Sequence, residues 1–177
     1  MNLVLFGFKT CGKTTTGKLV AKKLNKTFVD VDTIIEDLYY NPLLGRPKKL
    51  SHGDIFRHHG EEFFRALERD AVRKMRLVKN GVIATGGGSV LDYYNHAELK
   101  KNGLLVYLKT PKEVIKKRML ETKPLPGILD PDDPEKSFER MYKERSPIYD
   151  KIADVVLDTE GISLENLADQ VCSLARE

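Results

Sequence analysis

Tryptophan is missing from the 177 residues and cysteine occurs only twice. Two cysteines cannot make a disulfide scaffold, and a chain of this length buries enough apolar surface as one domain to need none. Cys11 stands in a glycine-bounded loop and Cys172 in a terminal helical pattern, so a bond between them would cripple the loop, and reduced thiols are expected. No apolar run is long enough to span a bilayer. The chain enters its first apolar segment, Leu3–Phe6, without a charged leader, so a cytoplasmic protein with no membrane partner is expected. Neither sign of charge dominates: 30 Lys and Arg against 26 Asp and Glu leave +4, scattered along the chain. That dispersion argues against a nucleic-acid partner, while a mild basic excess suits an enzyme with anionic ligands. The four histidines, His58 and His59 among them, have no cysteine or carboxylate at a spacing that completes a zinc site, so none is expected.

What is present is concentrated near the start. Gly7-Phe8-Lys9-Thr10-Cys11-Gly12-Lys13-Thr14 reads G-x-x-x-x-G-K-T, between the strand-like Leu3–Phe6 and an amphipathic stretch from Thr15 to Leu24. A loop of this kind turns successive backbone N–H groups toward phosphate oxygens, and the helix N-terminus adds partial positive charge. Lys13 is placed to reach the β- and γ-phosphates, and the Thr14 hydroxyl to ligate Mg²⁺. ATP or GTP with magnesium is therefore expected on Gly7, Lys9, Thr10, Cys11, Gly12, Lys13, Thr14 and Thr15.

Apolar segments recur at Leu3–Phe6, Thr27–Val29, Val82–Thr85, Leu104–Leu108 and Asp154–Leu157, with helical periodicity between them. Such alternation predicts an α/β fold with a parallel sheet and helices on both faces. Thr110-Pro111 reads as a cap and first position of a helix over Pro111–Leu120, and Ser163 leads into a terminal helix with Leu164, Leu167, Ala168, Val171 and Leu174 on one face. Two stretches break the pattern, Asn41–Gly53 and Lys123–Pro134, both rich in proline, glycine or charge. Each is expected to be an irregular surface segment, and either could serve as a lid.

Three further signals bear on the acceptor. Asp30 and Asp32 follow the second strand, where alternation along an extended chain would put both carboxylates on the ligand side. One could hold the Mg²⁺ shell and the other take a proton from an attacking hydroxyl; the plainer alternative makes Asp32 the cap of a helix over Thr33–Tyr40. Gly86, Gly87 and Gly88 end the third strand, where the lack of side chains admits a ligand to the backbone. Arg65 and Arg145 would, with an anionic acceptor, supply planar forks that match a carboxylate.

Taken with the phosphate loop, Asp30-x-Asp32, Gly60-Glu61 followed by Phe64-Arg65, the triple glycine and Arg145-x-Pro147-x-Tyr149, the chain resembles the shikimate kinase family along nearly its whole length. The resemblance implies a nucleoside-monophosphate-kinase-like P-loop fold: a five-stranded parallel sheet in a single domain, 1–177, with a substrate-binding subdomain at about 32–65 and a mobile lid at about 119–136. It implies ATP-dependent phosphorylation of the shikimate 3-hydroxyl on the route to chorismate, by a monomer. Residue by residue, it makes Asp30 a magnesium-shell residue and Asp32 the binder of ring hydroxyls and base. Arg65, Arg145 and the glycines around Gly87 become the shikimate clamp, and Arg118 the residue against adenine. Three departures stand out: Thr10 occupies a position where many members carry glycine, Asn41–Gly53 is long and basic, and Lys123 stands where a lid arginine is usual. A kinase for gluconate or a nucleoside monophosphate, or a nucleotide-binding protein without transfer activity, would share part of this pattern.

Overall fold

Five parallel strands lie in the order β2-β3-β1-β4-β5, with β1 at Asn2–Phe6, β2 at Phe28–Asp30, β3 at Val82–Ala84, β4 at Gly103–Lys109 and β5 at Val155–Asp158. The structure is a computed structural model and describes residues 1–175; the last two residues of the expected domain, 176–177, lie outside it. Register follows the apolar runs: Leu3, Val4 and Leu5 pair with Val82, Ile83 and Ala84 on one side and with Leu104, Leu105 and Val106 on the other. All five residues of β1 are buried, as a central strand covered on both faces must be. Parallel pairing forces each return across the sheet through a helix, so the loops that carry chemistry gather at the carboxyl edge.

The helices are α1 (Lys13–Leu24), α2 (Val31–Tyr39), α3 (His52–Lys74), α4 (Tyr93–Asn102), α5 (Lys112–Glu121), α6 (Pro134–Ile152) and α7 (Leu164–Ser173). Their starts refine the sequence reading. Helix α1 begins at Lys13 behind Gly12, whose φ of 98° closes the loop. Helix α2 begins at Val31, and its cap is Asp30, whose carboxylate accepts the Asp32 N–H at 3.0 Å. Asp32 is therefore not the cap of a helix over Thr33–Tyr40, because the chain turns from strand to helix two residues sooner. Nor does strand alternation align the two carboxylates; Asp30 ends β2 while Asp32 lies in the first turn of α2. Pro111 rather than Thr110 precedes the first turn of α5, and having no side-chain acceptor it cannot cap it; Thr110 Oγ1 is instead paired with Thr159 Oγ1 at 2.8 Å. Ser163 caps α7 as expected, accepting the Asn166 N–H.

Helix α3 is broken at Gly60, whose φ of 79° and ψ of 177° are non-helical. A β-carbon there would meet nothing within 4 Å, so it is the backbone angle and not space that calls for glycine. The stretch 41–53 is less irregular than expected. Pro42–Leu44 form a 3₁₀ turn closed by an Asn41–Arg46 bridge, and the Arg46 guanidinium lies over the Tyr39 and Phe63 rings. The stretch 122–133, between α5 and α6, has no helix or strand. No helix among the described residues is long and apolar enough to cross a membrane.

Candidate active site

The phosphate loop joins β1 to α1 and is held from beneath. Gly7 has a φ of 141°, and a β-carbon on it would sit 2.9 Å from the Leu108 carbonyl oxygen, so only glycine fits against β4. The Lys13 ammonium is buried and donates to the carbonyls of Gly7 at 3.1 Å and Phe8 at 2.8 Å, with the Cys11 sulfur at 3.7 Å. Thr14 Oγ1 donates to Asp30 Oδ2 at 2.8 Å, which puts a hydroxyl and a carboxylate oxygen side by side at the helix start. Thr10 carries a φ of 68°, and its carbonyl accepts from Arg118 at 3.1 Å, so Arg118 lies along the outer rim of the loop.

Above the loop opens a cavity of about 420 Å³, the size of a small-molecule site. Lys9, Lys13, Thr14 and Thr15 line one wall, and Asp32 and His52 a second. Burial pushes the Asp32 carboxyl up; His52, Lys13 and Lys9 pull it down less strongly, while Asp30 adds to the rise. Burial lowers the Lys9 ammonium, with Asp32 opposing and Lys13 and Arg57 reinforcing. A carboxyl raised in this way holds a proton more readily than a free one, as the acceptor of a hydroxyl proton must.

A third wall carries Arg65 and Arg145 with the glycine turn. The Arg65 guanidinium donates to the buried Glu68 carboxylate at 2.7 Å and to Glu61 at 3.3 Å. Burial opposes its charge, but the two carboxylates outweigh that and raise its pKa further. Ser89 Oγ donates to the other Glu68 oxygen at 2.7 Å, so the buried carboxylate is satisfied on both sides. The triple glycine is required by close approach. A β-carbon on Gly86 would lie 2.8 Å from Asp32 Oδ1, and one on Gly88 would lie 2.9 Å from both terminal nitrogens of Arg65. Gly87 is tied to α6: its carbonyl accepts from the Tyr149 hydroxyl, four residues beyond Arg145. Tyr149 is wholly buried among Phe6, Phe8 and Tyr107, and burial raises its phenol to about 12 while Arg145 pulls the other way. The Arg145-x-Pro-x-Tyr149 run thus aims a guanidinium into the cavity and anchors the turn beside it.

Pro126, Gly127 and Ile128 close the cavity from the 122–133 stretch, and a β-carbon on Gly127 would fall 2.8 Å from the Phe56 ring. Lys123 is exposed and does not line the cavity. Thus Lys9, Thr10, Gly12, Lys13, Thr14, Thr15, Asp32, Arg65, Gly86, Gly87 and Arg145 meet in one place. Gly7 and Cys11 lie buried at the loop's base, Arg118 at its rim, and Lys123 apart. No group of three or more metal-ligating side chains is found among the described residues. Sequence reasoning missed His52, Phe56 and Glu68. Glu68 alone had a signal, since an acid three residues after Arg65 shares its helix face.

A phosphate loop facing a carboxylate and two guanidinium groups can move a phosphoryl group to a hydroxyl of a small anionic acceptor. A family model described as shikimate kinase matches residues 9–176. The chain is 42% identical over 170 residues to a shikimate kinase of Caldanaerobacter subterraneus subsp. tengcongensis, covering 96% of this chain and 93% of that one. It is 39% identical over 170 residues to the shikimate kinase of Thermodesulfovibrio yellowstonii, covering 96% and 92%. Among solved structures, the shikimate kinase of Acinetobacter baumannii in complex with shikimate superposes with a TM-score of 0.83 at 31% identity, covering 98% of this chain and 91% of that chain.

Proposed function

The chain belongs to the shikimate kinase family, and we propose that it transfers the γ-phosphoryl group of ATP to the 3-hydroxyl of shikimate within the cavity above the phosphate loop. The carrying observation is that Lys13 and Thr14, Asp32, and the Arg65 and Arg145 pair line the walls of that one cavity. Arg65 and Arg145 hold the shikimate carboxylate, and Glu68 keeps the Arg65 fork in its plane. The Gly86–Gly88 turn lets the ring approach the backbone. In this reading the 3-hydroxyl lies at Asp32, opposite the phosphates carried by Gly7, Lys9, Thr10, Cys11, Gly12, Lys13, Thr14 and Thr15, with Arg118 flanking the base; their shared cavity and the Arg118 contact at the loop rim support it.

Asp32 takes the hydroxyl proton as the new O–P bond forms and the β–γ bridging bond breaks, leaving ADP and shikimate 3-phosphate. Lys13 stabilises the charge that spreads over the moving group. Thr14 and Asp30 fit Mg²⁺, because their adjacent oxygens, 2.8 Å apart, are the hard donors that ion prefers. Held by Thr14 and Asp30, such an ion would supply neutralisation of phosphate charge. Lys123 is the lid cation in this reading, brought inward when the segment over about 119–136 closes on a substrate-binding subdomain of about 32–65. The working unit is a cytoplasmic monomer; the scattered charge supports no nucleic-acid or membrane partner. ADP release in a coupled assay, with shikimate, gluconate and nucleoside monophosphates as acceptors, tests the assignment. Release that depends on shikimate alone is expected; equal release with gluconate, or none with any acceptor, overturns it.

A further inference from the structure

His52 is the first residue of α3, and two of its groups are committed to one partner. Its backbone N–H donates to Glu36 Oε1 at 3.0 Å, and its ring Nδ1 lies 3.0 Å from the same oxygen. A carboxylate only accepts, so the proton of that contact belongs to Nδ1, and the ring's orientation is fixed. The Ser51 side chain caps the same turn by accepting the Asp54 N–H, which holds the start of α3 in place. Glu36 and Asp32 are four residues apart on α2 and so share a face. Nε2 is thereby delivered to the cavity wall at 3.7 Å from Asp32 Oδ2. That gap is too long for a direct hydrogen bond. Two polar atoms so spaced, both on a cavity that receives a polyhydroxylated ring, match two hydroxyl groups on adjacent carbons.

We propose that His52, oriented by Glu36, binds the shikimate hydroxyl next to the one that reacts, so that His52 and Asp32 together read the ring's vicinal diol. This rests on the assignment of Asp32 to the reacting 3-hydroxyl. The role adds specificity to the known reaction: an acceptor with a lone hydroxyl satisfies Asp32 and leaves Nε2 without its partner, a difference that polar sites amplify.

The test pairs a residue change with a substrate change. kcat/KM and Kd are measured for the unaltered enzyme, His52→Ala, His52→Gln and Asp32→Asn, with shikimate and with its analogue lacking the 4-hydroxyl. Loss of one hydrogen bond lowers affinity by about tenfold. His52→Ala should therefore lose about tenfold on shikimate and little on the analogue, and His52→Gln, whose amide reaches the Nε2 position, should recover most of the loss. Equal losses on both acceptors, or none on shikimate, overturn the proposal. Asp32→Asn separates the two readings, because both acceptors keep the reacting hydroxyl and both should lose kcat. If they do not, the role of Asp32 fails while the His52 result stands on the Kd values. Unchanged ATP affinity in each variant shows that the fold is retained.

Discussion

Thr10 is a β-branched residue held at a φ of 68°, where a side chain crowds the backbone. The left-handed region costs an L-residue about 1–2 kcal/mol, partly offset here because glycine gives the unfolded chain about 0.4–1 kcal/mol of extra freedom. Its hydroxyl is also buried with no hydrogen-bond partner among the described residues. Thr10→Gly is therefore expected to stabilise the fold by about 0.5–1 kcal/mol in chemical denaturation; a destabilised variant would show that the side chain, not the angle, sets the loop. Asp32 bears the opposite kind of tension. Burial first, and Asp30 next among the groups that raise it, lift its folded-state pKa above the ordinary 3.8, so its charged form is the one folding disfavours. That penalty is absent below the ordinary carboxylate range and complete once the pH passes the raised value. Asp32→Asn should then raise the melting temperature at neutral pH but not near about pH 3. The same change should lower kcat by about 10²–10⁴-fold and abolish the acidic limb of the rate profile, on which activity falls as pH drops through the raised pKa. A variant with near-normal turnover removes the base assignment.

The turn Gly86–Gly88 serves two neighbours, and single β-carbons should separate them. On Gly86 the added carbon meets the Asp32 carboxylate at 2.8 Å and, behind it, Ser89 Oγ at 2.9 Å and Glu68 Oε1 at 3.3 Å, and on Gly88 the Arg65 guanidinium at 2.9 Å. These obstructions are the ends of side chains, so the added carbons displace functional groups instead of the backbone. Gly86→Ala should cut kcat by about 10²-fold, the scale of a misplaced reacting group, with ATP binding intact. Gly88→Ala should raise KM for shikimate by about tenfold and leave kcat nearly unchanged. Identical profiles for the two variants would mean that the turn acts only as a hinge. That turn, the strands and the phosphate loop were legible in the sequence because glycine, apolar β-branched runs and G-x-x-x-x-G-K-T each report a local backbone need. The β2 to α2 junction was not, since Asp30 and Asp32 are both able caps and only the turn of the chain selects one. His52 was illegible for another reason: its meaning comes from Glu36, sixteen residues away and joined to it only by the packing of α3 on α2.

Across the whole molecule, side chains of both charges line the cavity, and the stretch proposed as its lid contributes none of them. Lys123 is exposed at the near end of the 122–133 stretch, and the residues that close the cavity are the apolar Pro126 and Ile128 with Gly127. If closure carries its ammonium to the moving phosphoryl group, the benefit comes mainly in the transition state. Lys123→Ala should then lower kcat by about tenfold or more with smaller changes in either KM, measured by steady-state kinetics over both substrates. An unaltered kcat would assign Lys123 to the solvated surface and make Arg118, on the rim of the loop, the next residue to test. The stretch 122–133 rests on the ring of Phe56, which a β-carbon on Gly127 would meet at 2.8 Å. Phe56 belongs to the same half of α3 as His52, on the side of the cavity proposed for the acceptor. Water is always present as a rival acceptor, and a cover resting on the shikimate side is best supported when shikimate itself is in place. A lid seated there would guard ATP against futile hydrolysis by the company it must wait for.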